Sequence, residues 1–396
     1  MHPADDLRGI KSNKLSNKRI ILAVTGSIAA VETIKLAREL IRHGADVIPV
    51  MTVAATKIIH ADALEFATAN KPIITLSGKT EHVYYCGLVK NPVDMVLICP
   101  CTANTISKIA HGIDDTPVTT FATTAIGSKI PVLLVPAMHL SMYNHTVVEE
   151  NIKKCKKLGI TSIQPDIVRT KAKMPDIHEI VSTVIRVLNK QILKDKKILI
   201  IGGATAEAVD DIRILTNKSS GKTAVSLAIA AFENGADVEL WYGYSKEQVP
   251  SFINVKSFQT IQDIVDLLQK NKKKFYAIIV CAALADYIPI KYLGKIPSKK
   301  PRLLIECVPA PKILHEIRKI SPKTKLIAYK AEENQKDLET QAKKLLDTYS
   351  LHLVIGNEVS AFGSSNNEIL IINNKGKKST KKGKKELLSE HIINLI

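Results

Sequence analysis

Apolar residues along the chain fall into short continuous runs that alternate with stretches in which they recur every three or four positions. Two segments begin alike, KRIILAVTG at residues 18–26 and KKILIIGGAT at residues 196–205. Each is followed by a helical pattern and then by the same Gly-Ala-Asp-Val sequence, at Gly44–Val47 and at Gly235–Val238. Short apolar runs alternating with amphipathic helices are typical of parallel strands covered on both faces. The pattern therefore predicts two βαβ units.

Further apolar runs extend both halves: DMVLICP and PVLLVP in the first, and YAIIVCAA, KLIAYKA, HLVIGN and EILIIN in the second. We predict an α/β protein of two doubly wound, Rossmann-like domains with mainly parallel sheets, covering residues 1–190 and 191–396. The polar stretch near residues 189–197 is the predicted linker. Ligands of such sheets bind beyond the carboxyl ends of the strands, so the loops there are where chemistry is expected. The lysine-rich segment NNKGKKSTKKGKKELLSE is predicted to form a solvated hairpin or loop.

Composition narrows the function classes. The 396-residue chain carries a formal net charge of +18, but its lysines are spread out and not interleaved with aromatic residues. We therefore expect no nucleic-acid partner, and binding to DNA or RNA that survives physiological salt would contradict this. The six cysteines form no C-x-x-C pair, and Cys99, Cys101 and Cys281 fall in or beside apolar runs, which favours buried thiols. No apolar run reaches membrane-spanning length, so we expect a cytoplasmic protein with no membrane partner.

The segment NKSSGKT at residues 217–223 ends like a phosphate-binding P-loop. A P-loop requires another glycine five residues before its second glycine, and that position is Thr216. The P-loop interpretation is therefore rejected. A helical pattern follows at once, and the free N–H groups and dipole of a helix N-terminus favour an anion, so a phosphate is still expected at this turn.

In the first half, three loops follow predicted strands: TGSIAAVETIKLA, PCTANTISKIAHGIDD and PAMHLSMYNH. Together with TEHVYYCGL they resemble the flavin-binding decarboxylases that act on cysteinyl peptides and on 4'-phosphopantothenoylcysteine. The resemblance implies a flavodoxin-like flavoprotein domain in which His82 is a catalytic base and His139 shapes the substrate pocket. Read alone, His82 could equally be a capping or core-edge histidine. The positions that the resemblance assigns to FMN are Gly26, Ser27, Ile28, Thr52, Thr102, Asn104 and Met138.

Two departures from that family stand out. His139 occupies a position where the family has Asn; it keeps a side-chain donor but changes the shape of the side chain. The bacterial members also carry a flap cysteine that supplies a proton late in the reaction, whereas the matching stretch PDIVRTKAKMPDIHEI contains none. Lys171 or Lys173 takes over this step, or the step is lost. Cys155 lies on a predicted surface helix and is the weaker substitute.

The second half, from IGGATAEAVDDIRILTNKSSGKTA through CAALADY, GKIPSKK, VPAPKIL and AYKAEEN, is similar to phosphopantothenate–cysteine ligases. The resemblance implies that Asn217 stabilises an acyl nucleotide and that Lys295 neutralises the reacting phosphate. Where bacterial members read K-x-K-K, this chain has Lys-Ile-Pro-Ser, and Lys299 is the candidate for the missing charge. Read singly, Asn217 could be a helix N-cap, Asp286 a turn former and Lys295 a solvated lysine. The implied nucleotide contacts are Ser219, Ser220, Gly221, Lys222, Cys281, Ala282, Asp286, Lys295, Lys299, Pro311, Lys312, Ile313, Tyr329 and Lys344, with Lys343 as the alternative to Lys344.

Both resemblances together imply a bifunctional enzyme of coenzyme A biosynthesis. It would join 4'-phosphopantothenate to cysteine and then decarboxylate the product to 4'-phosphopantetheine. The implied cofactors are FMN and Mg²⁺, with CTP as co-substrate or ATP in its place, and no residue is assigned to the metal. A large homo-oligomer with trimeric and dimeric contacts is implied. The alternatives are a ligase whose first half is an inactive flavin-binding module, and a first half that resembles a flavin prenyltransferase, which the attached ligase half opposes.

Overall fold

A computed structural model describes residues 2–271, 273–297, 302–358 and 366–396. The chain divides into two compact units, Met1–Asn189 and Lys190–Ile396. Within the described residues, no helix combines the length and the apolar character needed to cross a membrane.

The first unit is built on a five-stranded parallel sheet in the order β2-β1-β3-β4-β6. Apart from Arg19 at the start of β1, its central strands are apolar and buried, as expected for a sheet covered on both faces. The order reverses beside β1, which pairs with β2 on one side and β3 on the other. A crevice at such a reversal is where open α/β sheets bind ligands. The strands are β1 (Arg19–Val24), β2 (Asp46–Met51), β3 (Met95–Cys101), β4 (Val132–Pro136), β5 (Met138–His139), β6 (Thr161–Ser162), β7 (Asp166–Val168) and β8 (Lys171–Lys173).

The helices of the first unit pack on both faces of this sheet and form two apolar clusters. Several begin at a threonine that directly follows a strand, and its hydroxyl accepts an N–H of the first turn. Short 3₁₀ helices cover Asp5–Leu7 and Ile28–Glu32. The α-helices are α1 (Thr33–Arg42), α2 (Val53–Thr56), α3 (Ala61–Thr68), α4 (Glu81–Cys86), α5 (Ala103–His111), α6 (Pro117–Gly127), α7 (Leu140–Tyr143), α8 (Thr146–Lys157) and α9 (Ile177–Leu188).

The second unit contains an eight-stranded sheet in the order β13-β12-β9-β14-β17-β18-β19-β20. Its first six strands are parallel, whereas β19 and β20 add an antiparallel edge. Two-stranded ribbons, β10-β11 and β15-β16, lie outside the sheet. The strands are β9 (Lys197–Gly202), β10 (Ala206–Ala208), β11 (Ile214–Thr216), β12 (Asp237–Tyr242), β13 (Asn254–Ser257), β14 (Ala277–Val280), β15 (Tyr287–Pro289), β16 (Cys307–Pro309), β17 (Lys325–Glu332), β18 (Leu353–Glu358), β19 (Asn366–Asn373) and β20 (Lys378–Lys384).

Helices cover both faces of this second sheet, and the order again reverses beside its first strand, β9. The helices are α10 (Lys222–Glu233), α11 (Ile261–Lys270), α12 (Ile313–Ile320), α13 (Gln335–Thr348) and α14 (Lys385–Ile393).

The predicted fold class is confirmed. Both βαβ openings are present, as β1-α1-β2 and β9-α10-β12, with parallel pairing. The lysine-rich C-terminal segment forms a hairpin, because β20 pairs with β19, and the segment then continues into α14. The second sheet is mainly rather than wholly parallel, because β19 and β20 pair in the antiparallel sense.

Glu239 is a buried carboxylate in β12, the strand next to the edge strand β13, and its removal is expected to destabilise the second unit. Its side chain is 4% exposed and accepts hydrogen bonds from Trp241 and from two lysines, Lys256 and Lys273. Because these lysines are partly solvated, we expect Glu239→Gln to cost about 2 kcal/mol rather than the larger penalty of a fully buried pair. Urea unfolding of the full chain measures this. Glu368→Gln, which removes a 3.8 Å exposed pair with Lys382, is the matched control with an expected effect near zero.

The same carboxylate gives this contribution a pH dependence. Burial raises the pKa of Glu239, but the hydrogen bonds from Lys256, Lys273 and Trp241 outweigh it and lower the pKa to about 2. A folded-state pKa below the ordinary value of 4.5 means that the stabilisation is complete above pH 4.5 and is lost as the pH falls toward 2. The stability difference between wild type and Glu239→Gln should shrink across that interval; a constant difference would contradict the assignment.

Candidate active sites

A buried threonine ties together the loops after β1 and β3 in the first unit. Thr25 is 1% exposed, and its hydroxyl donates to the Pro100 carbonyl at 2.7 Å and accepts the Thr102 N–H at 3.2 Å. The loop after β4 joins them, since the Ser27 hydroxyl donates to the Ala137 carbonyl at 3.3 Å. Three of the loops that sequence analysis singled out therefore meet at one edge of the sheet.

Hydroxyl groups line this edge. Ser27, Thr52 and Thr102 each stand at the N-cap of a following helix or 3₁₀ turn. Ile28 and Asn104 lie exposed beside them, and Met138 is half-buried. Helix N-termini and hydroxyls are suited to a phosphate, and exposed apolar side chains are suited to a flat ring.

We call this edge, formed by residues 26–28, 52 and 102–104, the flavin cradle. Gly26 allows the turn after β1 to pack closely against α2. A Cβ at this position would lie 2.6 Å from the Cβ of Ala54 on α2. A hydroxyl-lined turn of this kind at the start of a helix or 3₁₀ turn fits the phosphate end of FMN. The residues at the edge therefore fit the cofactor that the family resemblance implies.

Gly26→Ala is expected to weaken flavin binding about tenfold, because overpacking at this contact costs about 1–3 kcal/mol and displaces the turn that carries Ser27. Flavin absorbance per mole of purified protein measures the effect. Gly127→Ala is the matched control, since a Cβ there meets nothing within 4 Å. Equal flavin content in the two variants would contradict the cradle assignment.

His82 lies on α4 and is half-buried. Its Nδ1 is shielded from solvent and has no hydrogen-bond partner among the described residues. The capping interpretation is wrong, because the N-cap of α4 is Thr80. No hydrogen bond between described residues links His82 to the cradle loops within one chain. An unpaired buried ring nitrogen is costly in a purely structural residue, which favours a ligand-directed role.

His139 lies in a small three-stranded sheet, β5-β8-β7, whose last two strands form what we call the flap hairpin. His139 is directly opposite Lys171, whereas Lys173 pairs in register with Asp166 on the outer strand. His139 is exposed, and its Nδ1 lies 3.0 Å from the Ser141 hydroxyl. Lys171 and Lys173 are the two candidates for the role of the missing flap cysteine. Of these, Lys171 lies beside His139, which is predicted to shape the substrate pocket.

Four of the six cysteines are buried, namely Cys86, Cys99, Cys101 and Cys155, whereas Cys281 and Cys307 are half-buried. Burial raises the pKa of Cys281 to about 12 and that of Cys155 to about 11. Cys155 is on α8, an amphipathic helix, and its thiol is fully buried on the inner face of that helix. It is not placed to act on a substrate. Among the described residues, no three His, Cys, Asp or Glu side chains are grouped closely enough to hold a metal ion.

In the second unit, Asn217 lies where β9 and β14 end. Its side-chain amide donates to the Ala283 carbonyl at 3.0 Å, directly after the predicted contacts Cys281 and Ala282. The Thr205 N–H donates to the same carbonyl at 3.2 Å. The N-cap interpretation of Asn217 is wrong, because Gly221 occupies the N-cap of α10. Asn217 instead faces the loop after the neighbouring strand.

The NKSSGKT turn leads directly into α10. The Ser219 and Ser220 hydroxyls accept the N–H groups of Gly221 and Lys222, both at 3.4 Å. Gly221 has φ of +80°, and a Cβ there would lie 2.0 Å from the Tyr242 hydroxyl, so only glycine fits. The Lys222 ammonium is paired with Glu386 of α14 at 3.1 Å, a partner that sequence analysis did not foresee.

Two predicted nucleotide contacts, Asp286 and Lys312, form an ion pair at 2.6 Å. The hydrogen bond to Asp286 raises the pKa of Lys312. Asp286 is thus more than a turn former. Pro311 is exposed, whereas the Ile313 side chain is 2% exposed in the core, so only its backbone can reach a ligand.

The remaining predicted contacts are scattered. Tyr329 is half-buried in β17 and packs in the same apolar cluster as Tyr242. Lys295 is exposed, and Lys299 lies outside the described residues. Lys344 is exposed on α13, while Lys343 is paired with Glu339 at 2.8 Å. Of the two candidates for this nucleotide contact, Lys344 is therefore the one that is not paired with Glu339.

Sequence reasoning missed the residues that join loops. Thr25 directly follows β1 and Thr205 lies three residues beyond β9, and both hydroxyls bond across to a neighbouring loop. A threonine just after a buried strand was the available signal. Asp210 gave no signal, because Ile296, the partner that links it to another loop, lies 86 positions further along the chain.

Two family models match the chain. The model described as flavoprotein matches residues 8–189, and the one described as DNA/pantothenate metabolism flavoprotein C-terminal domain matches residues 193–396. The coenzyme A biosynthesis bifunctional protein CoaBC of Thermococcus kodakarensis is 43% identical, over 99% of this chain and 98% of the relative. The protein of that name from Methanocaldococcus jannaschii is 38% identical, over 99% and 96%.

Solved structures with partial similarity cover each half. The C-terminal domain of a CoaBC protein is 26% identical with a TM-score of 0.44, over 51% of this chain and 94% of that domain. The FMN-dependent cysteine decarboxylase SpaF is 25% identical with a TM-score of 0.38, over 43% and 95%.

Proposed function

The chain belongs to the family of coenzyme A biosynthesis bifunctional proteins CoaBC, and we propose that it converts 4'-phosphopantothenate and cysteine into 4'-phosphopantetheine in two steps. The single observation that carries this proposal is the 43% identity that runs through both units in order, over 99% of the chain. Residues 191–396 carry the ligation and residues 1–190 the decarboxylation. Because both substrates are charged small molecules, we place the reaction in the cytoplasm.

Ligation requires an activated carboxylate. The carboxylate of 4'-phosphopantothenate attacks the α-phosphorus of a nucleoside triphosphate and displaces pyrophosphate, and the cysteine amine then attacks the acyl carbon and releases the nucleoside monophosphate. We propose CTP as the nucleotide and Mg²⁺ bound through its phosphates. Lys295 neutralises charge that develops on the α-phosphate, and the Asn217 amide holds the acyl nucleotide. Helix α10 and the two serines before it receive a phosphate.

Decarboxylation needs an electron sink, because the carbanion left by loss of CO₂ from a cysteine amide is otherwise unstabilised. When bound, FMN would oxidise the substrate thiol to a thioaldehyde, which is the electron sink, and would return the same two electrons after CO₂ is lost, so that the overall reaction is redox-neutral. Ser27, Thr52 and Thr102 would hold its phosphate end. His82 takes a proton from the substrate, since its Nδ1 has no partner among the described residues. His139 binds the substrate carboxylate from the sheet that it shares with Lys171.

We propose that the active protein is a homo-oligomer. Large apolar side chains are exposed in both units, including Leu88 at 91% and Ile28 at 76% in the first, and Leu293 at 86% and Leu304 at 83% in the second. Large apolar side chains with this much exposure are candidates for burial against a second copy. A second copy would bury Ile28 beside the flavin cradle and could bring a His82 to it. Mass measured in solution, with Leu88→Asp as the test variant, examines this assembly.

The test of function is a single incubation of the purified full chain with 4'-phosphopantothenate, cysteine, Mg²⁺ and CTP, followed by mass spectrometry. We expect 4'-phosphopantetheine and CO₂. ATP in place of CTP tests the nucleotide preference. Absence of both 4'-phosphopantothenoylcysteine and 4'-phosphopantetheine with either nucleotide would refute the proposal.

The second candidate function is ligation alone, and the missing flap cysteine favours it. In that case 4'-phosphopantothenoylcysteine accumulates, and supplying this compound directly yields no CO₂. If CO₂ is released, comparing Lys171→Ala with Lys173→Ala identifies which flap lysine contributes, and the register with His139 favours Lys171.

A further inference from the structure

The loop of residues 290–297, here called the Lys295 loop, is fastened by several hydrogen bonds to the distant segment of residues 209–213. At its start, the Ile290 N–H also donates to the Glu306 carbonyl at 2.9 Å. The Tyr292 N–H donates to the Val209 carbonyl at 3.0 Å, and the Asp211 N–H donates to the Gly294 carbonyl at 3.3 Å. In return, the Gly294 N–H donates to the Asp211 carboxylate at 3.1 Å. These bonds flank Lys295 on its N-terminal side.

Asp210 fixes the backbone on the C-terminal side of Lys295. The N–H of Ile296, the residue after Lys295, donates to Asp210 Oδ2 at 3.0 Å. The Asp210 side chain is 0% exposed, and the Ile296 side chain is itself only 6% exposed. Lys295 thus stands exposed between two anchored neighbours, and its side chain has no partner among the residues that the structure describes.

The Asp210 carboxylate is fully engaged. Oδ1 accepts the N–H groups of Ile212 at 2.8 Å and Arg213 at 2.7 Å, and Oδ2 accepts the Arg213 guanidinium besides Ile296. Burial raises the pKa of Asp210, but the N–H groups of Ile296, Ile212 and Arg213 and the Arg213 guanidinium outweigh it and hold the pKa well below its ordinary value. The group is therefore an anion at all working pH values.

A fixed backbone at Lys295 matters for the proposed ligation chemistry. A lysine side chain has four rotatable carbons and a compact ammonium, so its reach to a phosphate depends on where its backbone is held. A displacement of about 1 Å at a reacting centre can cost about a hundredfold in rate. A buried carboxylate that accepts N–H groups from both segments fixes this distance more firmly than a solvated contact does.

We propose that Asp210 is a positioning residue for ligation, which holds the Lys295 loop so that the Lys295 ammonium meets the reacting phosphate. This inference rests on the proposed role of Lys295 and adds to it a residue that acts only through Lys295. Asp211, one residue later, provides the comparison. Its carboxylate is 53% exposed and pairs with Lys291 at 2.7 Å.

The first test replaces each aspartate by asparagine in the full chain. An asparagine at position 210 keeps one acceptor oxygen, so either the Ile212 and Arg213 pair or Ile296 loses its partner. We expect Asp210→Asn to lower the kcat of ligation between tenfold and a hundredfold, with KM for 4'-phosphopantothenate and for CTP changed less than about threefold. Asp211→Asn keeps an oxygen for Gly294, and we expect a change in kcat of at most about threefold.

A double-mutant cycle separates positioning from general stability. If Asp210 acts through Lys295, then Asp210→Asn should not lower the ligation rate further in a Lys295→Ala background. An equal loss in both backgrounds would overturn the proposal, as would a wild-type kcat in Asp210→Asn. Release of CO₂ from supplied 4'-phosphopantothenoylcysteine reports on the first unit. It should be unchanged in Asp210→Asn, and its loss together with ligation would mean general unfolding and would also overturn the proposal.

A second variant covers the case in which Asp210→Asn does not fold. Ile296→Ala keeps the N–H bond but removes the buried side chain beside Lys295, and it should lower kcat in the same direction, with no effect in the Lys295→Ala background. A wild-type rate would overturn the proposal. If the wild-type chain itself makes no 4'-phosphopantothenoylcysteine, the proposed function fails instead, and this outcome is seen before any variant is measured.

Discussion

Replacing His82 by asparagine should lower the rate of CO₂ release from 4'-phosphopantothenoylcysteine at least a hundredfold and leave ligation unchanged. A positioned general base contributes about 10²–10⁴-fold to a proton transfer, and asparagine cannot take up a proton. The shielded Nδ1 of His82 has no partner among the described residues, so it is not committed to a structural hydrogen bond. The measurement is CO₂ release from the supplied intermediate, with ligation followed separately by pyrophosphate release.

His60→Asn is the matched control for this experiment. His60 lies in the same unit and caps α3 through an Nδ1 that accepts the Asp62 N–H at 3.3 Å. Asparagine is also a good N-cap, so decarboxylation and stability should both stay at the wild-type level. Bound flavin must also be equal in the two variants. If His82→Asn retains flavin and still releases CO₂ at the wild-type rate, His82 is not the base.

The strands and the edge that carries the chemistry could be predicted because they depend on local sequence. Continuous apolar runs such as that of β3 are required wherever a strand is covered on both faces, and the runs are short enough to exclude buried helices. Loops that follow such strands must emerge at one edge, so Ser27 and Thr102 could be expected near each other before any contact was known. The structure adds the bond through Thr25 that fastens them.

Contacts between distant segments could not be predicted, because no periodicity encodes them. Asp210 reads as one of two adjacent acidic residues in a loop, and its role depends on an N–H that lies 86 positions further along the chain. The pairing of Lys222 with Glu386 likewise depends on how α14 packs against α10. Ile313 was assigned to the nucleotide through its motif, yet a large apolar side chain at the start of an amphipathic helix is drawn into the core.

The flap illustrates how register decides between residues that composition leaves equivalent. Lys171 and Lys173 have the same chemistry and both are exposed. Opposite residues of an antiparallel pair lie on the same face, so pairing of β5 with β8 places Lys171 beside His139. A shift of one residue would place Ala172 there instead.

Lys295→Ala should produce the opposite outcome to His82→Asn: ligation falls about 10²–10³-fold, and CO₂ release from supplied 4'-phosphopantothenoylcysteine is unaffected. The magnitude follows from removal of one charge that stabilises a developing phosphate anion. Because Lys295 is exposed, the substitution leaves no buried partner unpaired, and stability should change by less than about 0.5 kcal/mol. Pyrophosphate release with CTP, at saturating 4'-phosphopantothenate and cysteine, measures the loss.

Lys291→Ala is the control for charge alone, because Lys291 lies in the same loop and its ammonium is committed to Asp211. Its removal lowers the local positive charge by the same amount but should slow ligation at most about threefold. Equal losses in the two variants would mean that the loop attracts the nucleotide only through its net charge. The expected pattern is that ligation is lost only in Lys295→Ala and decarboxylation only in His82→Asn. Because neither substitution would then affect the reaction of the other unit, this pattern would mean that each unit carries one of the two reactions.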